Sequence, residues 1–190
     1  MRRIVTGHDS NGRSRVVEDG RPPRWNDYAS VPDLSAALVW STRAGESTNI
    51  AGTDPTLGVD SVVPGPGETR VMRLVFPPDA SMFSAEVDFA AFGAEHLRCA
   101  PGLAELFEPD GSHRTPSIDY SILMEGELWL ETDDGAHTRM TPGDIVVQNG
   151  TRHAWRNRSD SPAVLVSVLV GVADAPMDVD GASGTQDVQS

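Results

Sequence analysis

The chain has 190 residues, carries a formal net charge of −13 from 28 acidic and 15 basic side chains, and contains no lysine. A chain of this length is typical of a single domain that can bury a sizeable core. A surface this acidic repels nucleic acid and anionic lipid, so neither is expected as a partner. The single Cys99 excludes an intrachain disulfide. Because no apolar run has the length of a signal peptide or a membrane span, the sequence predicts a cytoplasmic protein without a membrane partner.

Short β-branched runs dominate the first 45 residues. "RIVTG" and "SRVVEDG" flank the turn sequence "HDSNG", and "ALVWSTRAG" follows later in the chain. Runs of this kind, separated by Gly, Asn and Asp, are typical of strands joined by turns. Residues 1–45 are therefore predicted to form an N-terminal arm of strands.

Residues 46–111 are predicted to hold a long loop, one strand at "ETRVMRLVFPPD" and a helical insert, all within the same domain. From 81 to 111, apolar residues such as Phe89 and Phe92 recur at a spacing closer to that of a helix than to that of a strand. These side chains either pack in the core or form an apolar lid over a pocket. His96 lies in the same insert and is a candidate to reach such a pocket.

The last third of the chain differs in pattern. From 117 to 171, short apolar runs alternate with turn sequences at intervals of roughly eight to twelve residues, which is typical of an all-β barrel or sandwich. The segment 173–190 is acidic and has no large apolar side chain other than Met177. This composition predicts a disordered acidic tail.

One face of the strand that follows residue 112 is unusually polar. Alternate residues of an extended chain share a face, so His113, Thr115, Ser117, Asp119 and Ser121 point the same way. Such a face is too polar for an ordinary core, and it contacts either water or a polar cavity. The same rule places a second histidine beside a large aromatic residue further along the chain.

That second histidine is His153, which shares a face with Trp155 and Asn157. A histidine next to a tryptophan suits a ligand pocket with an apolar wall, because the indole supplies a large apolar area. The sequence therefore predicts one pocket with Thr115, Ser117, Ser121 and Trp155 as lining residues.

Two glycine-framed motifs around these histidines resemble those of the cupin superfamily. The first stretch, "HRTPSIDYSILMEG", supplies His113, Asp119 and Gly126, with six residues between the last two. The second stretch, "PGDIVVQNGTRHAWRN", supplies in order Gly143, Gly150, His153 and Asn157. A gap of 16 residues separates Gly126 from Gly143. The stretches "VTGHD", "HRTPSIDY" and "VVQNGTRHAWRN" further resemble a bacterial and fungal cupin subgroup across nearly all of residues 1–172.

The resemblance implies an all-β fold: a single cupin jelly-roll β-barrel with an N-terminal strand arm and a short helical insert. It implies that residues 112–172 form the motif core. Because cupins commonly dimerise through N-terminal strands, we expect a homodimer in which residues 1–45 take part.

The resemblance also implies a metal site, from which this sequence departs twice. Thr115 stands where the family has a second histidine, and Asp119 replaces a glutamate. His113, Asp119 and His153 remain as candidate ligands. Two imidazoles and one carboxylate bind Fe, and the same set would hold Mn or Zn. The alternative is a cavity without metal, in which the same residues act as acids, bases or hydrogen-bonding groups.

Three functions stay open at this point, all with a small-molecule partner. The favoured one is a lyase or isomerase that acts on a small carbonyl or hydroxy compound by dehydration, decarboxylation or proton transfer, with His113, Asp119 and His153 as catalytic residues. The second is an Fe(II)-dependent dioxygenase that uses the same three residues. The third is a non-catalytic binder. Fold membership alone does not decide among them, although the resemblance suggests secondary or aromatic metabolism.

Overall fold

A computed structural model describes residues 1–48 and 54–173. Within them the chain forms eleven strands and two α-helices, so the predicted all-β fold is confirmed. The strands are β1 (Arg3–His8), β2 (Ser14–Gly20), β3 (Arg24–Asp27), β4 (Ser35–Thr42), β5 (Thr69–Phe76), β6 (Ser117–Glu125), β7 (Leu128–Thr132), β8 (His137–Met140), β9 (Ile145–Asn149), β10 (His153–Arg156) and β11 (Ala163–Gly171). The helices are α1 (Asp79–Met82) and α2 (Phe89–Cys99). The predicted acidic tail, residues 173–190, lies outside the described residues except for Ala173.

Two sheets build the body of the protein. The larger has six strands in the order β3-β4-β5-β11-β6-β9, and the smaller has three in the order β10-β7-β8. All of their strand pairs are antiparallel. β1 and β2 form a separate hairpin, as the sequence predicts, whereas β3 and β4 belong to the main sheet.

The core between the two sheets is aliphatic. Leu123 and Leu165 from the larger sheet and Leu128 and Met140 from the smaller one are at most 1% exposed and belong to one cluster. Facing sheets stabilise each other by burying alternate side chains in this way. A second cluster, which includes Leu38, lies towards the other end of the large sheet. The interior between the clusters is where polar side chains collect.

The helical insert begins where β5 ends at Pro77 and Pro78. Proline lacks the N–H that a further ladder bond would need, so the strand cannot continue there. The Asp88 side chain accepts hydrogen bonds from the N–H groups of Ala90 and Ala91, which caps α2 at its N-terminus. Cys99, the last residue of α2, is buried and free, as expected for a small apolar residue. Among the described residues, no helix has the length and apolar character needed to cross a membrane.

Gly126 occupies a position that only glycine can fill. Its φ is +79°, and a Cβ atom there would lie 2.7 Å from the Pro162 carbonyl oxygen and 2.8 Å from the Ala163 Cα. Both the left-handed backbone and the close approach to β11 exclude a side chain. The glycine of the first motif is therefore required by the turn that leads from β6 to β7.

Asn157 of the second motif holds the loop after β10 in place. Its Nδ2 donates to the Phe76 carbonyl at 3.0 Å and to the Ser161 carbonyl at 2.8 Å. Its Oδ1 accepts from the Ser159 N–H at 3.1 Å and from the Ser159 hydroxyl at 2.7 Å. At 1% exposure, this amide joins β5 to the loop that leads into β11.

Candidate functional site

His113 and His153 lie opposite each other in an antiparallel bridge. The N–H of His113 donates to the His153 carbonyl at 2.9 Å, and the N–H of His153 donates back to the His113 carbonyl at 3.0 Å. The two imidazole centroids are 4.5 Å apart. Two distant motifs therefore bring two histidines side by side through a backbone contact.

The polar face of β6 is directed inward. The buried positions alternate with more exposed ones from His113 to Ser121, and Tyr120 on the opposite face is 44% exposed. A cavity of about 120 Å³ lies against this face. The sequence-predicted residues that line it are His113, Thr115, Asp119, Ser121, His153 and Trp155.

Ser117 and Asn157, which were predicted to lie on the inner faces, do not line the cavity. Ser117 is buried but does not line the cavity, because its hydroxyl turns along the strand and donates to Thr115 Oγ1 at 2.9 Å. Asn157 shares the parity of His153, but β10 ends at Arg156, and the amide enters the loop network instead.

Burial controls the protonation of both histidines. It lowers the pKa of His113 to about 3, with the neighbouring His153 as a smaller cause in the same direction and the Gly111 carbonyl opposing both. Burial also lowers the pKa of His153, against the effect of its hydrogen bond to the Thr151 carbonyl. Both imidazoles are therefore neutral at pH 7, and each has one nitrogen lone pair and one N–H.

The tautomer of His153 follows from its hydrogen bond. Nδ1 lies 2.9 Å from the Thr151 carbonyl oxygen, which can only accept, so Nδ1 carries the proton. Nε2 of His153 is then left with the lone pair. A base in this tautomer can accept a proton or coordinate a ligand through Nε2.

Asp119 lies in the same cavity with one oxygen unsatisfied. Thr115 Oγ1 donates to its Oδ2 at 3.3 Å, and Oδ1 is buried without a hydrogen-bond partner. Burial raises the pKa of this carboxyl group, while the Ser117 and Thr115 hydroxyls lower it. Its cross-strand neighbour on β9 is Gln148, whose Nε2 is also buried and unpartnered. Gln148 was not predicted as a site residue, although the alternation along β9 places it on the same inner face as Val146.

The insert contributes His96 to the cavity wall, as the sequence allowed. The Tyr28 hydroxyl lies 2.8 Å from His96 Nδ1, and burial raises the pKa of Tyr28, which keeps that hydroxyl protonated. The hydrogen bond is donated by the Tyr28 hydroxyl when the proton of the His96 ring is on Nε2, and by His96 Nδ1–H in the other tautomer. Phe107 of the apolar run 81–111 also lines the cavity, as the lid hypothesis for that run allowed. Tyr28 and Ser167 line it too, and no local pattern in the sequence indicated these two.

The described residues do not form an assembled three-ligand metal site. Among residues 1–48 and 54–173, no group of three or more His, Cys, Asp or Glu side chains is placed to hold a metal ion. The donor types are those that Fe, Mn or Zn would accept. A site formed by His113, Asp119 and His153 stays a prediction.

Neutral histidines in this cavity make stability depend on pH. The ordinary pKa of 6.5 applies to His113 in the unfolded chain, against about 3 in the fold, so the unfolded chain binds more protons between these values. The free energy of unfolding therefore falls as the pH drops from about 6.5 towards 3, and one such histidine accounts for about 2 kcal/mol between pH 7 and pH 5.

Between pH 7 and pH 5, the free energy of unfolding of His113→Gln should fall by about 2 kcal/mol less than that of the wild type. The measurement is urea unfolding at both pH values. The raised pKa values of Asp119 and Asp79 act in the opposite direction, but they do so in both proteins. Equal losses in the two proteins would show that His113 is not held neutral.

The chain is similar to a known domain family and to several curated proteins. A family model described as "Cupin domain" matches residues 105–169. Phomopsin biosynthesis cluster protein D of Diaporthe leptostromiformis is 44% identical over 179 residues, which cover 94% of this chain and 82% of that protein. The cupin-domain-containing oxidoreductase fogC of Aspergillus ruber is 37% identical over 65 residues, which cover 33% of this chain and 32% of that protein.

The chain also aligns with solved structures. A Cupin 2 conserved barrel domain protein from Salinispora arenicola aligns with a TM-score of 0.38 and 17% sequence identity. The alignment covers 72% of this chain and 75% of that one.

Proposed function

This chain belongs to the cupin superfamily, and on that premise we propose that its cavity catalyses proton transfer on a small carbonyl or hydroxy compound, as a lyase or isomerase of secondary metabolism. The observation that carries the proposal is the pair of buried imidazoles, 4.5 Å apart, facing one cavity. Similarity to a phomopsin biosynthesis cluster protein supports the metabolic setting.

The roles follow from the protonation states. Nε2 of His153 has the free lone pair and takes a proton from the carbon next to a carbonyl group. Neutral His113 gives its N–H proton to the carbonyl oxygen, which yields an enol and leaves His113 as imidazolate beside the imidazolium of His153. In a 2-hydroxy carbonyl compound, His113 then takes the proton of the neighbouring hydroxyl group, and His153 returns its proton to the former carbonyl carbon, which completes the isomerisation. Asp119 Oδ1, buried without a partner, is available to hold a hydroxyl group or a proton of the substrate.

Deuterium exchange tests this chemistry without a co-substrate. We expect the wild-type protein in D₂O to replace the C–H protons next to the carbonyl of 2-hydroxyacetophenone or phenylacetone faster than buffer does, as followed by ¹H NMR. His113→Gln and His153→Gln should remove the acceleration, because each takes away one proton-transfer group. Equal rates for wild type and both variants would contradict the proposal.

The second candidate is an Fe(II)-dependent dioxygenase, which the similarity to a cupin-domain-containing oxidoreductase favours. Oxygen uptake that requires added Fe(II) and is lost in His153→Gln would support it over proton transfer. Tight binding of a ligand with neither exchange nor oxygen uptake would indicate the third candidate, a non-catalytic binder. The metal and the homodimer stay predictions.

A further inference from the structure

A second and larger cavity lies next to the first. This outer chamber has a volume of about 370 Å³ and is formed by α1, α2 and the loop that follows them. The chain contains five phenylalanines, and all five line it: Phe76, Phe83, Phe89, Phe92 and Phe107. A protein with so few aromatic residues has therefore placed every phenylalanine around one space.

The outer chamber adjoins the cavity that holds the histidines. Phe76, His96, Phe107 and Trp155 line both spaces, which therefore share a wall of side chains. The Phe107 ring in this wall also stacks on the imidazole of His113 with a centroid distance of 4.2 Å. A molecule bound in the outer chamber thus lies next to the side chains that border the proton-transfer pair.

Part of this aromatic wall is open to solvent. Phe83 and Phe89 are each 52% exposed, and Leu97 on the same helix as Phe89 is 48% exposed. Side chains this exposed contribute only part of their apolar area to the stability of the fold. Grouped around a concave space, they are the pattern of a ligand-binding surface.

The charged groups around the chamber are already paired within the protein. Arg156 Nε donates to Glu131 at 2.9 Å. Glu108 accepts from Arg152 at 2.8 Å, and Asp79 accepts from the N–H of Asn157 at 3.0 Å. A charged ligand would have to displace these partners, so the chamber favours a neutral occupant.

The volumes of the two cavities determine which part of a substrate each can hold. The inner cavity, at about 120 Å³, is smaller than the roughly 150 Å³ cavity that accommodates a benzene molecule. An aromatic compound with a reactive polar end does not fit there whole, whereas the outer chamber lies within the usual range for ligand pockets.

We propose that the outer chamber binds the neutral aromatic portion of the substrate while its small carbonyl or hydroxy end enters the inner cavity. This inference rests on the proposed function for what happens at the inner end, and it names the substrate class of that site. Phe83 and Phe89 are then specificity-determining residues, because they contact only the aromatic portion.

Two matched fluorescent probes test the proposal. N-Phenyl-1-naphthylamine is neutral, and 1-anilinonaphthalene-8-sulfonate has the same rings with one negative charge. We expect the wild-type protein to bind the neutral probe with a Kd at least about tenfold lower than that of the sulfonate. Phe83→Ala/Phe89→Ala should weaken binding of the neutral probe at least about tenfold, since both rings are removed from its site.

Controls separate the site from general surface hydrophobicity. Ile145 is 62% exposed on β9, outside the chamber, and Ile145→Ala should leave the Kd unchanged. If the double variant does not fold, Leu97→Asp, which adds a charge to the chamber from an exposed position, should weaken binding similarly. Unchanged affinity in the folded Phe or Leu97 variants, or equal affinity for the two probes, would overturn the proposal.

The outcome is distinguishable from failure of the proposed function. His113 does not line the outer chamber, so the His113→Gln protein should still bind the neutral probe. Probe binding that depends on Phe83 and Phe89, without deuterium exchange in the wild type, would keep the aromatic chamber and reject proton transfer. Deuterium exchange in the wild type, together with probe binding that does not depend on Phe83 or Phe89, would keep proton transfer and reject the aromatic chamber.

Discussion

Replacing His113 with glutamine is expected to lower the rate of enzyme-dependent proton exchange by about 10²–10⁴-fold, the usual contribution of a positioned acid–base group. Glutamine keeps a polar side chain of similar length but cannot exchange a proton at neutral pH. His153→Gln should cost a similar factor, and the double variant should lose little more, because the two residues act as a unit. The rate is measured by the NMR exchange assay with 2-hydroxyacetophenone.

The exposed histidines provide a matched control for this prediction. His8 and His137 are exposed and lie outside both cavities, so His8→Gln and His137→Gln should exchange at the wild-type rate. A His113→Gln protein that folds and exchanges within about threefold of the wild type would show that this imidazole does not take part in the chemistry.

Replacing Asn157 with alanine should reduce the free energy of unfolding by about 3–5 kcal/mol, because four hydrogen bonds of a buried amide are lost at once and each contributes about 1 kcal/mol. The partners of the amide are the Phe76 and Ser161 carbonyls and the N–H and hydroxyl of Ser159. The measurement is urea unfolding at pH 7, with the change expressed as a shift in the midpoint at constant slope.

Asn11→Ala is the control for this substitution, since Asn11 is exposed in the turn between β1 and β2. Its effect should stay within about 0.5 kcal/mol. If Asn157→Ala lost less than about 1 kcal/mol, the asparagine of the second motif would have a role other than holding the loop between β10 and β11.

The inner face of β6 and of the extended segment before it illustrates what a sequence can predict about this site. His113 and Thr115 in that segment and Asp119 and Ser121 on β6 follow the period of two that any extended chain imposes, so their common orientation could be predicted from spacing alone. Likewise, "RIVTG" and "SRVVEDG" around a turn were sufficient to predict the hairpin of β1 and β2. Local geometry determines both features.

Tyr28 and Ser167 show what spacing along the chain cannot predict. They come from a loop and from β11, and only the tertiary fold brings them to the same cavity. Asn157 has the right parity for the pocket, but the strand ends one residue earlier and the rule no longer applies. The three predicted metal ligands line one cavity. Spacing along the chain could not predict the distances between their side chains, because these depend on how β6 and the segment before it pack against β10.

The proposed chemistry requires the cavity to keep His113 and His153 as neutral imidazoles that can exchange protons. We would first titrate the histidine ring signals by NMR from pH 7.5 to pH 4.5, assigned with His113→Gln and His153→Gln. We expect no titration midpoint for His113 in this range and a midpoint below 6.5 for His153. A midpoint at or above 6.5 for either ring would rule out these roles, because a histidine charged near neutral pH cannot serve as the resting base or the neutral donor of this site.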